Sequence, residues 1–316
     1  NSANRSANTI TIAQYGTAGY VNWQTTEFWA NDVCFTVEPD ESQVAPKYLY
    51  YFLLNKQQML FGMVNRMAVP HSIDREKILS IDVPVPPRTV QVEIVRILDS
   101  FTELESELES ELNARRKQYE YFRDRLLTFA PDQGGVRHVT LAEIGSFIRG
   151  TGIQKSDLIS SGLDAIHYGQ IFTFYGSSAY KSLSKVSQSV WTRSRRAAHG
   201  DLVLATTSEN LDDVCKAVAW LGENEVAVSS DAMIFRHELD PLFATYWFQS
   251  EHFSKHKHAV ATGTKVKRIS AEGLSKLPIA VPELALQKEI GAKLKAFEKL
   301  LTDQEIGLPA EIAARR

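Results

Sequence analysis

Residues 42–73, 165–200 and 252–271 of this 316-residue chain contain no Asp or Glu. The last, HFSKHKHAVATGTKVKRISA, carries five Lys/Arg and three His. Within it Thr262, Thr264, Lys265, Lys267 and Arg268 surround Gly263. Gly and Thr let a backbone approach closely, Lys and Arg neutralise phosphates, and an Arg can grip guanine through two hydrogen bonds. This run is therefore the main candidate for contact with a nucleic acid. Its counterpart in the first stretch is RMAVPH, from Arg66 to His71. Ser208 and Asn210, in the TTSEN turn after strand-like DLVLAT, are placed to reach a base edge, and Gln14, Tyr15 and Asn22 hold the corresponding place earlier in the chain. Arg193, Arg195 and Arg196, in the middle stretch, suit phosphates.

Catalytic patterns are missing. There is no GxxxxGK[ST] loop, no GxSxG, no HExxH, and neither a Gly-rich FxGxG-like loop nor a [DN]PP[FY] motif of a methyltransferase. Asp212, Asp213 and Asp231 are carboxylates without a companion His or Lys at a telling spacing, and KHKH (255–258) reads either as metal ligands or as a basic patch. Cys34 and Cys215 stand alone, which excludes a disulfide scaffold or a cysteine-built zinc site and fits a reducing cytoplasm. No apolar run reaches membrane-span length and no signal-peptide pattern opens the sequence, so a cytoplasmic protein is expected. The net charge is −3, yet acids gather at Asp99, Glu103, Glu105, Glu107, Glu109 and Glu111, so a near-neutral sum hides basic lobes and an acidic rod.

An internal repeat supplies the elements that must carry these residues. At an offset of 196, Val85, Pro86, Gln91, Glu93, Ile94, Leu98 and Phe101 match Val281, Pro282, Gln287, Glu289, Ile290, Leu294 and Phe297. APKYLYYFLLN (45–55) parallels DPLFATYWFQS (240–250), DREKILSIDVP (74–84) parallels SAEGLSKLPIA (270–280), and NARR (113–116) parallels AARR (313–316). Each unit thus ends with an aromatic helix, a polar loop, a short strand, a Pro-marked turn and a long helix. Residues 1–82 read as the latter part of one copy, lacking a partner for 136–200. In the first long helix Ile94, Phe101 and Leu108 lie seven apart, with Ile97, Leu104, Leu112, Tyr119, Phe122 and Leu126 filling much of the same face. The second carries Ile290, Leu294, Phe297, Leu301 and Ile312, with GLP (307–309) a possible interruption. Two such stripes can bury against each other, antiparallel. Between the helices, after the linker APDQGG (130–135), strand-like VRHVTL, DLVLAT, CKAVAWL and EVAVSSDAMIF precede an aromatic helix near 241–256, a mixed α/β pattern.

The stretch QVEIVRILDSFTELESELESELNARRKQYEYFRDRLLTF (91–129), with its tandem ELES, resembles the central region of DNA-specificity subunits of type I restriction-modification enzymes, in the subfamily with a four-residue repeat there. GLPAEIAARR resembles the second helical region of that family. The resemblance implies an α/β protein with pseudo-twofold repeats: two mixed target-recognition domains separated by two long antiparallel coiled-coil helices. Here they would be residues 1–86 (the C-terminal part of the first domain), 87–130 (central helix), 131–282 (second domain) and 283–316 (distal helix). It implies a non-enzymatic subunit reading a two-part sequence in double-stranded DNA. Two modification subunits would bind S-adenosylmethionine and methylate adenine at N6, and restriction subunits would supply ATP- and Mg-dependent translocation and cleavage, leaving this chain without a cofactor. RGTGIQ (149–154) and HYGQI (167–171) resemble recurring turns of such domains, adding Arg149, Thr151, Tyr168 and Gln170. Arg115, Arg116, Tyr119 and Tyr121 become candidates for docking modification subunits, as do Arg193, Arg195 and Arg196 besides their phosphate role. The ELES count would set the gap between half-sites. Two other readings stay open: a single-chain methyltransferase or nuclease without its catalytic domain here, and a coiled-coil adaptor with no DNA role.

Overall fold

The structure is a computed structural model that describes residues 3–302 and 309–311. The chain divides into two compact units, Asn1–Glu109 and Ser110–Ala314.

In the first unit, TITIA alternates as a strand should, and Ile10 and Ile12 are fully buried. This strand, Thr9–Ala13, is the centre of an antiparallel sheet flanked by Val21–Gln24 and Cys34–Val37. The aromatic helix Pro46–Asn55, started by a proline in its first turn, contributes Leu49 and Leu53 to the same core, joined by Leu60 and Ile73. The long helix Arg88–Leu126 begins against this body. Gln91 is fully buried, accepts from the Ala45 N–H at 2.8 Å, and donates to the Gln43 and Pro86 carbonyls at 2.9 and 2.8 Å. Further along, Asp99 receives Lys47 at 2.8 Å and the Tyr51 hydroxyl at 2.6 Å.

The second unit repeats this core and extends it. The strand Leu202–Ala205 lies between Lys216–Trp220 and Ala232–His237, with Gly145–Arg149 and Ser178–Ala179 at the edges. A second sheet runs Ser184–Val186, Leu163–Ile166, Val226–Val228, Arg196–Ala197. The expected aromatic helix is two helices, Pro241–Gln249 and Glu251–Val260, because the Ser250 hydroxyl caps the second by accepting from the Phe253 N–H at 3.2 Å. Phe243, Tyr246, Trp247 and Phe248 bury most of the first. Gln287, on the helix Leu284–Thr302, repeats the role of Gln91: it accepts from the Asp240 N–H at 2.9 Å and donates to the Pro282 carbonyl at 2.7 Å. A buried amide that satisfies backbone groups at a helix start explains why Gln recurs in both copies.

Two expectations need correction. Residues 81–86 form no strand, whereas their counterpart Pro278–Pro282 pairs with Val136–Thr140; among the described residues of the first unit no strand occupies the place of Val136–Thr140. The apolar stripe of the central helix is only partly buried: Phe122 stacks on Phe297 at 6.4 Å and Tyr119 and Leu126 pack on the second core, but Ile97, Phe101 and Leu104 are 40, 54 and 39% exposed. Of the GLP segment only Pro309 is described, and Ile312 and the match at 313–316 lie outside the described residues. No helix among the described residues is long and apolar enough to cross a membrane.

Candidate nucleic-acid interface

The second unit brings the Thr262–Arg268 run and the TTSEN turn together. Thr207 and Ser208 pair antiparallel with Arg268 and Lys267. The run closes on itself, Thr262 and Arg268 exchanging two backbone hydrogen bonds of 2.9 Å, and is anchored by the Ile269 N–H on the Thr206 carbonyl at 3.2 Å. Gly263 has φ +94°, and a Cβ there would lie 2.1 Å from the Val266 carbonyl oxygen, so only glycine makes this turn. Thr262, Thr264, Lys265 and Arg268 are exposed; Lys267 is half-buried and its ammonium donates to the Gly263 carbonyl at 2.9 Å.

In the turn, the Ser208 hydroxyl accepts from the Asn210 N–H at 3.1 Å, and the Asn210 side-chain oxygen accepts from the Asp212 N–H at 2.9 Å. The acceptor atoms are thereby engaged, which leaves the serine O–H and the asparagine NH2 as donors. Donors are what the N7 and O6 of guanine, the N7 of adenine and the O4 of thymine require.

The first unit builds the same arrangement from different residues. Asn65 and Ser72 exchange backbone bonds of 2.7 and 3.4 Å and close the loop that holds Arg66 to His71. The Ile73 N–H donates to the Gln14 carbonyl at 3.1 Å, as Ile269 does to Thr206, and Tyr15 bridges to Ser72. The Gln14 N–H donates to Val33 as Thr206 donates to Asp231. After each strand end the chain bends through a left-handed residue, Gly19 (φ +83°) in one unit and Cys215 (φ +66°) in the other. Gln14, Tyr15 and the Arg66–His71 loop are thus assembled, while Asn22 sits exposed in the ladder opposite Thr11. Within the RMAVPH run, Met67 and Val69 stand 92 and 97% exposed.

The other candidates divide. Arg149, Thr151, Tyr168 and Arg195 gather around the turn at Ser229–Asp231. Arg149 donates to the Ser230 carbonyl at 3.2 Å, Thr151 accepts from the Arg195 N–H at 2.7 Å, and the Tyr168 N–H donates to the Ser229 hydroxyl at 2.8 Å. Asp231 in that turn accepts from Thr206, so this group continues the rim begun by Ser208. Gln170 does not join it: its amide accepts from the His167 N–H at 3.0 Å and donates to Ser184 at 2.6 Å, capping a helix and tying a strand. The guanidinium of Arg196 pairs with Glu225 at 2.7 Å and lies over Trp191; Arg193 is exposed, 3.9 Å from Asp157.

Along the central helix Arg115, Arg116 and Tyr121 are exposed, Arg115 within reach of Glu111. Tyr119 is turned inward. Its hydroxyl is buried without a hydrogen-bond partner, and burial beside Glu298 raises its pKa, so it does not offer itself for docking. No cluster of three or more His, Cys, Asp or Glu suited to a metal occurs among the described residues. Burial pushes the Cys215 thiol up to about 12 and makes it inert.

Two units that each close a loop against the end of a central strand, Arg66–His71 in one and Thr262–Arg268 in the other, make the chain a tandem repeat. The type I restriction modification DNA specificity domain family matches residues 1–115 and 138–314, and the chain belongs to it. A protein named as a type I restriction enzyme specificity subunit from Haemophilus influenzae is 29% identical over 96% of this chain and 78% of its own length. The EcoR124I/EcoR124II specificity subunit of Escherichia coli is 28% identical over 88% and 69%. Among solved structures, a chain from work on complex assembly and conformational transition of the type I system superposes with a TM-score of 0.70 at 13% identity, covering 98% of this chain and 79% of that one. The S subunit of a type I system from M. genitalium gives 0.54 at 15%, covering 99 and 81%. The chain is a DNA-specificity protein of the type I restriction-modification class.

Proposed function

We propose that the chain reads a bipartite DNA target, each unit taking one half-site with the loop it builds at its strand ends. The observation that carries this is the duplicated clamp: Gln14–Tyr15 with Arg66–His71, and Thr206–Ser208 with Thr262–Arg268. Lys265, Arg268, Arg66 and Arg195 serve phosphates or guanine; Ser208 and Asn210 donate to base edges; Met67 and Val69 offer apolar contact to thymine methyl groups. Arg149, Thr151 and Tyr168 extend the second contact.

The reading places the chain in the cytoplasm with two modification subunits and with restriction subunits. Its partners would hold S-adenosylmethionine, ATP and Mg. Arg115, Arg116 and Tyr121 are the proposed docking residues of the central helix.

The test is selection of duplexes from a random pool by the complex of this chain with its modification subunits. Two enriched blocks separated by a gap of fixed length are expected. Enrichment of a single block, or salt-dependent binding without enrichment, would contradict the reading.

A further inference from the structure

Lys257 lies in the last turn of the helix Glu251–Val260 and is 5% exposed. Its ammonium donates to the Asp212 carbonyl at 2.6 Å, in the bend that follows Ser208 and Asn210. Burying an ammonium to satisfy one carbonyl is costly, since desolvation of the charge opposes it. The helix that bears it runs directly into the Thr262–Arg268 clamp, which pairs back onto Thr207 and Ser208. Turn, helix and clamp therefore form a closed circuit, and Lys257 joins its helix to the turn.

The first unit has the same circuit with another side chain. Gln57 opens the helix Gln57–Gly62, which leads into the Arg66–His71 loop. Its amide donates to the Gly19 carbonyl at 2.6 Å and accepts from the Val21 N–H at 2.9 Å. Gly19 is the left-handed residue of the bend after Gln14 and Tyr15. The repeat aligns Gln57 with His252 or Phe253, depending on whether the offset of 195 before it or of 196 after it is continued, and not with Lys257, so the two side chains reach equivalent bends from different positions of their helices.

We infer that Lys257 and Gln57 are positioning residues for sequence readout, each holding the strand-end turn of its own unit at a fixed height against the reading loop. Neither touches DNA. Each sets where Ser208 and Asn210, or Gln14 and Tyr15, stand relative to the loop that grips the phosphates. Base contacts tolerate little displacement, whereas phosphate attraction acts over a Debye length. Loss of the staple should therefore cost discrimination and spare unspecific affinity. The inference rests on the bipartite reading above.

The experiment uses the complex with its modification subunits and the duplex that the wild-type complex selects, together with duplexes scrambled in one half-site or in both. Lys257→Met is expected to lower the preference for one intact half-site at least tenfold, and Gln57→Leu to do the same for the other half-site. Binding to the fully scrambled duplex and its salt slope should stay within twofold of wild type. Lys257→Arg, which keeps a donor, should retain most of the preference. Both preferences surviving in both variants, or both half-sites losing equally, overturns the inference. A wild-type complex that prefers neither half-site overturns the bipartite reading and the inference with it. If Lys257→Met does not assemble, Gln57→Leu decides the question alone, since it sits in the other unit.

Discussion

Lys265 and Lys267 are two residues apart, and the fold leaves them different work. Lys265 is exposed, while Lys267 spends its ammonium on the Gly263 carbonyl and so shapes the loop as well as charging it. Lys265→Ala should weaken binding to all sequences and reduce the slope of log K against log salt by about one. Lys267→Ala should add a loss of sequence preference. Titrations at several salt concentrations separate the two, and equal behaviour would place both lysines on phosphates alone. Met67 and Val69 predict a different signature: replacing thymine by deoxyuridine in the half-site read by the first unit should weaken wild-type binding and leave Met67→Ala little affected. Another residue reports on folding. Burial of His237, outweighing the pull of nearby Asp201, depresses its pKa to about 4. The unfolded chain takes up a proton near pH 6.5 that the folded chain refuses until about pH 4, so stability should fall as pH drops through that window, by up to about 3 kcal/mol. Melting temperatures across it should show the loss, and His237→Asn, which keeps an acceptor for the Leu239 N–H, should remove much of it.

The helix starts show what the sequence disclosed and what it concealed. Gln91 and Gln287 were legible as a repeated pair, but their partners were not, because an amide at a helix start announces nothing about the loop carbonyls it will meet. Gln91→Leu would strand the Ala45 N–H and two carbonyls, at a cost of about 2–4 kcal/mol. A melting temperature within a degree or two of wild type would contradict that role. Acid-free composition and repeat position agree in singling out the Thr262–Arg268 and Arg66–His71 loops. Gln170 caps the His167 turn, a local pattern readable as His-x-x-Gln. Tyr119 shares a face with Leu112 and Phe122, and that spacing already pointed it inward. Lys257 was hidden inside KHKH, where three exposed or half-exposed neighbours made the whole run look like surface.

At the scale of the molecule, the ELES tandem lies within one unbroken helix, Arg88–Leu126, and the chain divides into its two units at Glu109 and Ser110. Removing Glu107–Ser110 would shorten that helix by about 6 Å and turn it by about 40°. With DNA rising 3.4 Å per base pair along each strand, the gap between half-sites should shrink by about one or two base pairs, with both half-site sequences unchanged. An unchanged gap would remove the repeat from the control of spacing. The measurement that bears most directly on the whole account is a methylome. The gene is expressed with its modification subunits in a host without other adenine methylation, and the genome is sequenced for N6-methyladenine. The account predicts one new motif in two parts with a fixed gap. A contiguous motif, or no new methylation while the complex is assembled and folded, would contradict it.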